Sequence, residues 1–426
     1  MQNQQPLRSP VLRSRRDFLR LTGAIGAFKI ISSLTSRPFP HRTAQAQSMS
    51  PTPPNLPLNT WVIRRTPAFP ASLGAPSKHV RLTYDTDRHI IYFWGGDYCV
   101  SNPVSGSRCA SHEELWSYDV AQDKWQLLLD QTAANKSGYP RGRCLPGMAY
   151  DPKRKVVWMT TGSERYDNYY SGLQSGRLWA FDPARRTWSQ EGPAPDGESS
   201  KVSVPSTMVE YLVYDPVSDA LFAPSRSNIQ YSLAGIAVGD GISNDNWSIS
   251  PFSAYSPVFG MVSFAVDTRR SRAIVYDPYR GETWSYDFLT KQTARLSTQL
   301  LPARSVFGMV YDSANDVIVL FGGYSDFEGS PNATPRNDLW VFDFRTNAWG
   351  KPSIGGSLPS PRKGEQLVYD FYNNVIVQIG GTGGWQSGVD EYGYDGTELF
   401  LLRLSLGGGA PVDTTPPAPP TNLVVR

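Results

Sequence analysis

Histidine is scarce in this sequence: four stand among 426 residues, His41, His79, His89 and His112. None follows residue 112, and the three beyond residue 46 lack the spacing of a metal-binding set. No metal is therefore expected, and no cofactor. A G-x-S-x-G nucleophile elbow and a phosphate loop are also missing, so catalytic motifs that can be read from spacing are mostly absent. No apolar run approaches the ~20 residues of a membrane-spanning helix. Nothing reads as a succession of amphipathic helices. What is abundant is aromatic and turn-forming: 12% aromatic residues, 35 prolines and 37 glycines. That composition suits an all-β chain of many short strands.

The amino-terminal stretch stands apart. Ser14-Arg15-Arg16-Asp17-Phe18-Leu19-Arg20 precedes a mildly apolar segment, Leu21 to Leu34, and then Ala44-Gln45-Ala46. The order resembles a twin-arginine export signal with an A-x-A cleavage site. The resemblance implies a periplasmic or extracellular protein beginning near Gln47, with residues 1–46 removed and residues 47–58 as a linker. Without the eight Lys/Arg and one Asp of residues 1–46, 33 basic and 37 acidic side chains remain, a net charge of about −4. The basic balance of the whole chain belongs to that leader, so it argues for neither nucleic acid nor an anionic membrane. Of the three cysteines, Cys99 and Cys109 share one loop, and an oxidising compartment would favour pairing them to stiffen it. Cys144 is left over in an apolar setting at a strand start, as a buried thiol would be.

The rest of the chain repeats. Tyr/Val-Asp pairs recur at Tyr84-Asp85, Tyr150-Asp151, Tyr214-Asp215, Val266-Asp267, Tyr311-Asp312 and Tyr369-Asp370. Each follows an apolar run, precedes a polar turn and leads to a second apolar strand. Three of those second strands end in Gly-Gly: Gly95-Gly96, Gly322-Gly323 and Gly380-Gly381. A third strand such as ELWSYD, RLWAFD or DLWVFD follows. A tryptophan strand then closes the copy at Trp125, Trp188, Trp247 and Trp349, with Thr293 in that place in the fourth copy. The sixth copy ends at Leu406 without one, but Trp61 stands in such a strand ahead of the first copy. One four-stranded copy would leave an apolar face wet, so the copies must pack on each other.

The Tyr-Asp pairs, Gly-Gly ends and tryptophan strands resemble the kelch repeat over residues 59–406. The resemblance implies an all-β, six-bladed kelch-type β-propeller whose last blade is closed by an N-terminal strand, leaving no open seam. Copies three and four lack Gly-Gly, and their boundaries are less distinct. Residues 407–426 read as a Gly/Pro/Thr-rich linker, and PPTNLVV within them resembles the opening strand of a fibronectin type III domain.

In such a blade the tight turns, DPKRK and DPARRT among them, share one face. The long second-to-third connections share the other: Asp97–Glu114, Ser163–Arg177, Tyr324–Asp338 and Thr382–Glu398. Long loops on a rigid rim are where binding groups gather. Tyr98, Tyr170, Tyr324 and Trp385 lie there, among acids. Aromatic faces with carboxylates around them suit sugar rings, and mutual packing of the loops is the plainer alternative. Eight residues before the repeated Asp stand Arg143, Arg304 and Arg362, and five before it stand Glu210 and Glu365. These either gather into a cationic channel mouth for a carboxylate or sulfate, or pair as struts between blades. The expected function is a ligand-binding module on the long-loop face, for a glycan or an acidic small molecule. The alternatives are an enzyme of the sugar mutarotase type, which the resemblance implies, and a scaffold for another protein. In the mutarotase case the arginines would hold the carboxylate while Glu210 or Glu365 moves protons. Some kelch propellers resemble galactose oxidase, a copper-radical enzyme needing two late histidines. With none after residue 112, that activity is not expected here.

Overall fold

The computed structural model describes residues 55–65, 78–100, 108–111, 114–130, 139–140, 147–160, 163–166, 169–174, 177–193, 212–227, 230–237, 248–251, 263–278, 280–325, 334–364, 366–381 and 398–407. All belong to the unit Pro51–Arg426. Among them every regular element is a strand, and the strands build an all-β propeller.

Five sheets are wound from consecutive stretches of chain. The first holds Lys78–Asp85, Ile90–Val100, Leu115–Asp119 and Lys124–Leu129, with Arg108–Ser111 alongside the second strand. The second holds Gly147–Asp151, Val156–Thr160, Arg177–Asp182 and Thr187–Pro193, and carries a separate hairpin, Ser163–Tyr166 with Tyr169–Gln174. The third is Val213–Asp215, Ala220–Ser227, Gln230–Ala237 and Ser248–Pro251. The fourth is Phe264–Asp267, Arg272–Asp277, Glu282–Asp287 and Thr293–Ser297. The fifth is Gly308–Asp312, Val317–Phe321, Leu339–Asp343 and Ala348–Gly350. Among the described residues the structure thus has five such blades and not the six expected from the sequence, because the sixth copy supplies only three strands of its own and forms no self-contained blade. Gln366–Asp370, Val375–Ile379 and Glu398–Leu402 share a composite sheet with Thr60–Arg65 and the two-residue strand Gly355–Gly356. Thr60–Arg65 pairs antiparallel with Glu398–Leu402, Val62 opposite Leu401.

Alternation places apolar residues on both faces of each sheet, so every sheet can pack on two neighbours. First and second share Tyr92, Trp94, Val157 and Trp179. Second and third share Trp158, Ala180, Tyr214 and Leu221. Third and fourth share Phe222, Phe264 and Tyr286, fourth and fifth share Ile274, Tyr276, Met309 and Trp349, and fifth and last share Val319, Phe321, Ile376 and Phe400. Last and first share Val377, Leu401, Val80 and Ile91.

The repeated Asp has a physical reason. All six are buried: Asp85, Asp151, Asp215, Asp267, Asp312 and Asp370. Each carboxylate caps the turn that follows. Asp85 Oδ1 accepts from the backbone of Asp87 and Arg88, both at 2.9 Å, and Asp151 Oδ1 does the same for Lys153 and Arg154. In three copies the tyrosine before it reaches the neighbouring sheet. Tyr150 bonds Asp87 at 2.7 Å and also Asp85, Tyr369 bonds Asp312, and Tyr84 bonds Asp370. Burial, then these carboxylates, push the Tyr84 and Tyr150 hydroxyls far above the usual phenol range. In those copies the Tyr-Asp pair is thus a clasp between sheets, whereas Tyr214 and Tyr311 bond Asp219 and Asp316 in the turns of their own copies, at 2.7 and 2.8 Å.

The third copy held one surprise. Its third strand, Gln230–Ala237, has no Trp-x-x-Asp signature, yet pairs with the second strand at eight positions from Ala220↔Ala237 to Ser227↔Gln230.

Candidate functional site

Arg304 lies just ahead of the strand Gly308–Asp312, where Ser305 bridges to Tyr324 across the Gly322-Gly323 end. Only glycine fits that crossing. Gly323 has φ +91°, and a Cβ there would lie 2.6 Å from the Ser305 carbonyl oxygen. Arg304 is buried, with its side chain 0% exposed. Nε donates to the Pro302 carbonyl and Nη1 to the Gly322 carbonyl, both at 3.2 Å. Its fork also grips Asp338, Nη1 to Oδ1 at 3.2 Å and Nη2 to Oδ2 at 3.0 Å. Burial raises the Asp338 carboxyl, but the bond and charge of Arg304, with Trp340 Nε1 at 2.7 Å and Lys351 nearby, outweigh it and hold the group at about 2.

Arg362 repeats the arrangement one copy later. Nε donates to the Ser360 carbonyl at 2.9 Å and Nη1 to the Gly380 carbonyl at 3.0 Å, while the guanidinium sits 5.0 Å from the Phe400 ring centre. Each arginine therefore braces the Gly-Gly end of its own copy.

Backbone bonds tie the two places together. Gly323 N donates to the Arg362 carbonyl at 2.9 Å, Arg362 N to the Arg336 carbonyl at 2.8 Å, and Arg336 N to the Gly323 carbonyl at 2.7 Å. Around this triangle lie Tyr324, buried, and Lys363, whose Nζ is 4.6 Å from the Tyr324 ring centre. Arg336 Nε donates to the Ala303 carbonyl at 3.0 Å. Among the described residues its terminal nitrogens have no hydrogen-bond partner. Arg304, Arg336, Arg362 and Lys363 thus gather in one place, Arg304, Arg362 and Lys363 buried and Arg336 partly exposed, with Asp338 as the nearby acid.

The structure brings together Arg304, Arg362 and Tyr324 of the residues singled out from sequence. Tyr98 stands opposite Ala110, and Tyr170 opposite Arg165 in the second sheet's hairpin. Arg143, Glu210, Glu365 and Trp385 lie outside the described residues, as does Cys144. Cys99 stands opposite Cys109 in the register. Sequence reading missed Arg336 and Lys363. Lys363 is the neighbour of Arg362 in SPRKGE, and Arg336 sits in TPRND at the end of a long connection, where no repeat spacing marks it. Among the described residues, no three His, Cys, Asp or Glu gather as metal ligands, and no helix is long and apolar enough to cross a membrane.

No family model matches the chain. Tip elongation aberrant protein 1 of Schizosaccharomyces pombe is 28% identical over 116 residues, 27% of this chain and 9% of that protein. Mei4-dependent protein 6 of the same organism is 22% identical over 316 residues, 72% of this chain and 38% of that protein. Dynein regulatory complex subunit 7 of Chlamydomonas reinhardtii is 34% identical over 80 residues, 19% of this chain and 6% of that protein. The chain thus spans well under half the length of each of these curated relatives. Among solved structures, that of YjhT superposes with a TM-score of 0.49 at 12% identity, covering 79% of this chain and 98% of the other.

Proposed function

We propose that this propeller is an exported binding module that holds a glycan on its long-connection face, with Arg336 receiving an acidic group over the positive charge of the buried Lys363. The observation that carries this reading is the cationic cluster on the Gly323–Arg336–Arg362 backbone triangle. A cation whose backbone is already pinned loses little freedom on binding, and charge-assisted bonds to carboxylate or sulfate are strong. Arg304 and Arg362 act beneath as braces, each bonded to a Gly-Gly carbonyl. The test is a panel of neutral and acidic glycans against the wild type, Arg336→Ala and Lys363→Ala. Each substitution should weaken binding of an acidic glycan about tenfold and leave neutral glycans unaffected. A panel with no binder, or equal binding by all three proteins, overturns it.

The same reading takes the composite sheet as joining the five blades into one ring, closed by Thr60–Arg65. Support comes from equivalent tryptophans. Trp349 packs on Tyr276 of the preceding sheet at 5.4 Å, Trp188 on Trp94 at 6.4 Å, and Trp61 on Phe321 at 5.5 Å. Tyr276, Trp94 and Phe321 are each the fifth residue of the aligned second-strand segment. Trp61→Ala should then cost about 3–5 kcal/mol in urea unfolding, as should Trp349→Ala. A Trp61 loss below about 1 kcal/mol, typical of a fraying terminus, would refute closure. Export is tested by sequencing the amino terminus of protein recovered outside the cytoplasm, where Gln47 should be first.

A further inference from the structure

We propose that Cys99 and Cys109 are joined as a disulfide that fastens a hairpin raised above the first sheet. Ile90–Val100 pairs with Leu115–Asp119 only through Ile91–Trp94. Beyond that it runs on against Arg108–Ser111, with Asp97 opposite Ser111, Tyr98 opposite Ala110, Cys99 opposite Cys109 and Val100 opposite Arg108. A two-stranded ribbon of this length is marginal in water. Two of the chain's three cysteines fall directly opposite one another in it. Directly opposed antiparallel residues have Cα atoms about 4.5–5.5 Å apart, inside the span a disulfide accepts. A slip of one residue would send the two cysteines to different faces, so the register itself selects the pair.

The position gives the bond a role. Arg108–Ser111 lies against Ser163–Tyr166 of the hairpin carried by the second sheet. Fastening one hairpin therefore fixes the spacing of two on the long-connection face. In the reaction each thiol gives up a proton, and the pair gives up two electrons to a small-molecule or protein disulfide, which leaves as two thiols. The inference rests on the hairpin register alone, so it survives failure of the glycan or ring-closure readings.

The test uses the full chain equilibrated with oxidised glutathione, denatured without reductant, alkylated and digested with trypsin. Arg108 lies between the two cysteines, so cleavage there leaves them on separate peptides that only the bond can join. A linked Cys99/Cys109 pair that disappears on reduction, with Cys144 alkylated, is the expected result. Alkylation of both Cys99 and Cys109, or a bond involving Cys144, overturns the proposal. A second measurement reads the hairpin in the folded protein. Native trypsin should nick after Arg108 about tenfold more slowly, or better, in the oxidised protein than in the reduced one. Cys99→Ser should abolish that difference and Cys144→Ser should keep it. Equal nicking in both redox states refutes the fastening role.

Discussion

Replacing Asp338 with asparagine removes the charge that Arg304 holds while keeping the side chain's shape. Burial alone would raise this carboxyl, but Arg304, Trp340 and Lys351 bring it down to about 2. The unfolded value is about 3.9, and each unit is worth about 1.36 kcal/mol, so the folded protein gains about 2.5 kcal/mol at neutral pH. The Asp338 side chain is only 20% exposed, so solvent screening trims this little. Because the folded value lies below the unfolded one, the contribution is complete above about pH 4 and fades as pH falls through about 2. At pH 3 roughly half should remain. Asp338→Asn should therefore lower urea-unfolding stability by about 2–3 kcal/mol at pH 7, and by about half as much at pH 3. Equal losses at the two pH values would mean that geometry, not charge, binds Asp338 to Arg304. No loss at pH 7 would remove the brace altogether.

Gly356 has φ +84°, and a Cβ there would lie 2.4 Å from the Trp61 carbonyl oxygen and 2.6 Å from Thr60 Cγ2. Gly356→Ala should cost about 2 kcal/mol or more, whereas Gly350→Ala, with nothing within 4 Å, should leave the melting temperature nearly unchanged. Equal melting temperatures for the two variants would sink the tight clasp on Thr60–Arg65. Lys291 is an exposed turn residue with φ +57°. Lys291→Gly should gain about 0.5 kcal/mol, because glycine escapes most of the left-handed penalty and gives back part of that as chain entropy; a measured loss would refute this.

Much of the architecture was legible because the repeat is dictated locally. Asp85 and its five counterparts cap the turns that follow them, so a Tyr-Asp pair marks the end of a first strand wherever it occurs. Trp61, far from the copy it resembles, could be matched to Trp349 by pattern alone. Gln230–Ala237 could not be read, because its pairing comes from the neighbouring strand Ala220–Ser227 and not from residues of its own. The candidate site was half legible. Equal spacing from the repeated Asp found Arg304 and Arg362, but spacing cannot say whether a guanidinium faces a ligand or the carbonyl of Gly322. Arg336 and Lys363 carry no repeat signal, and the Gly323–Arg336–Arg362 bonds that bring them together join segments of two different copies.

The sequence by itself determined the strand content and the turn chemistry, since each follows from contacts within a few residues or from a period along the chain, but it counted six blades where the structure has five. Trp61 already pointed from the sequence to the N-terminal strand completing the last copy, but only the tertiary structure decided its register, Val62 opposite Leu401, and that Asn59 exchanges 2.8 Å hydrogen bonds with Ser405, a contact 346 residues apart. It also decided that Arg304 is buried against Asp338. The physical reason is the same in both cases. The register of a completed edge and the neutralisation of a buried charge depend on which distant backbone arrives and how it is placed, and a local pattern can name the strand without fixing that placement.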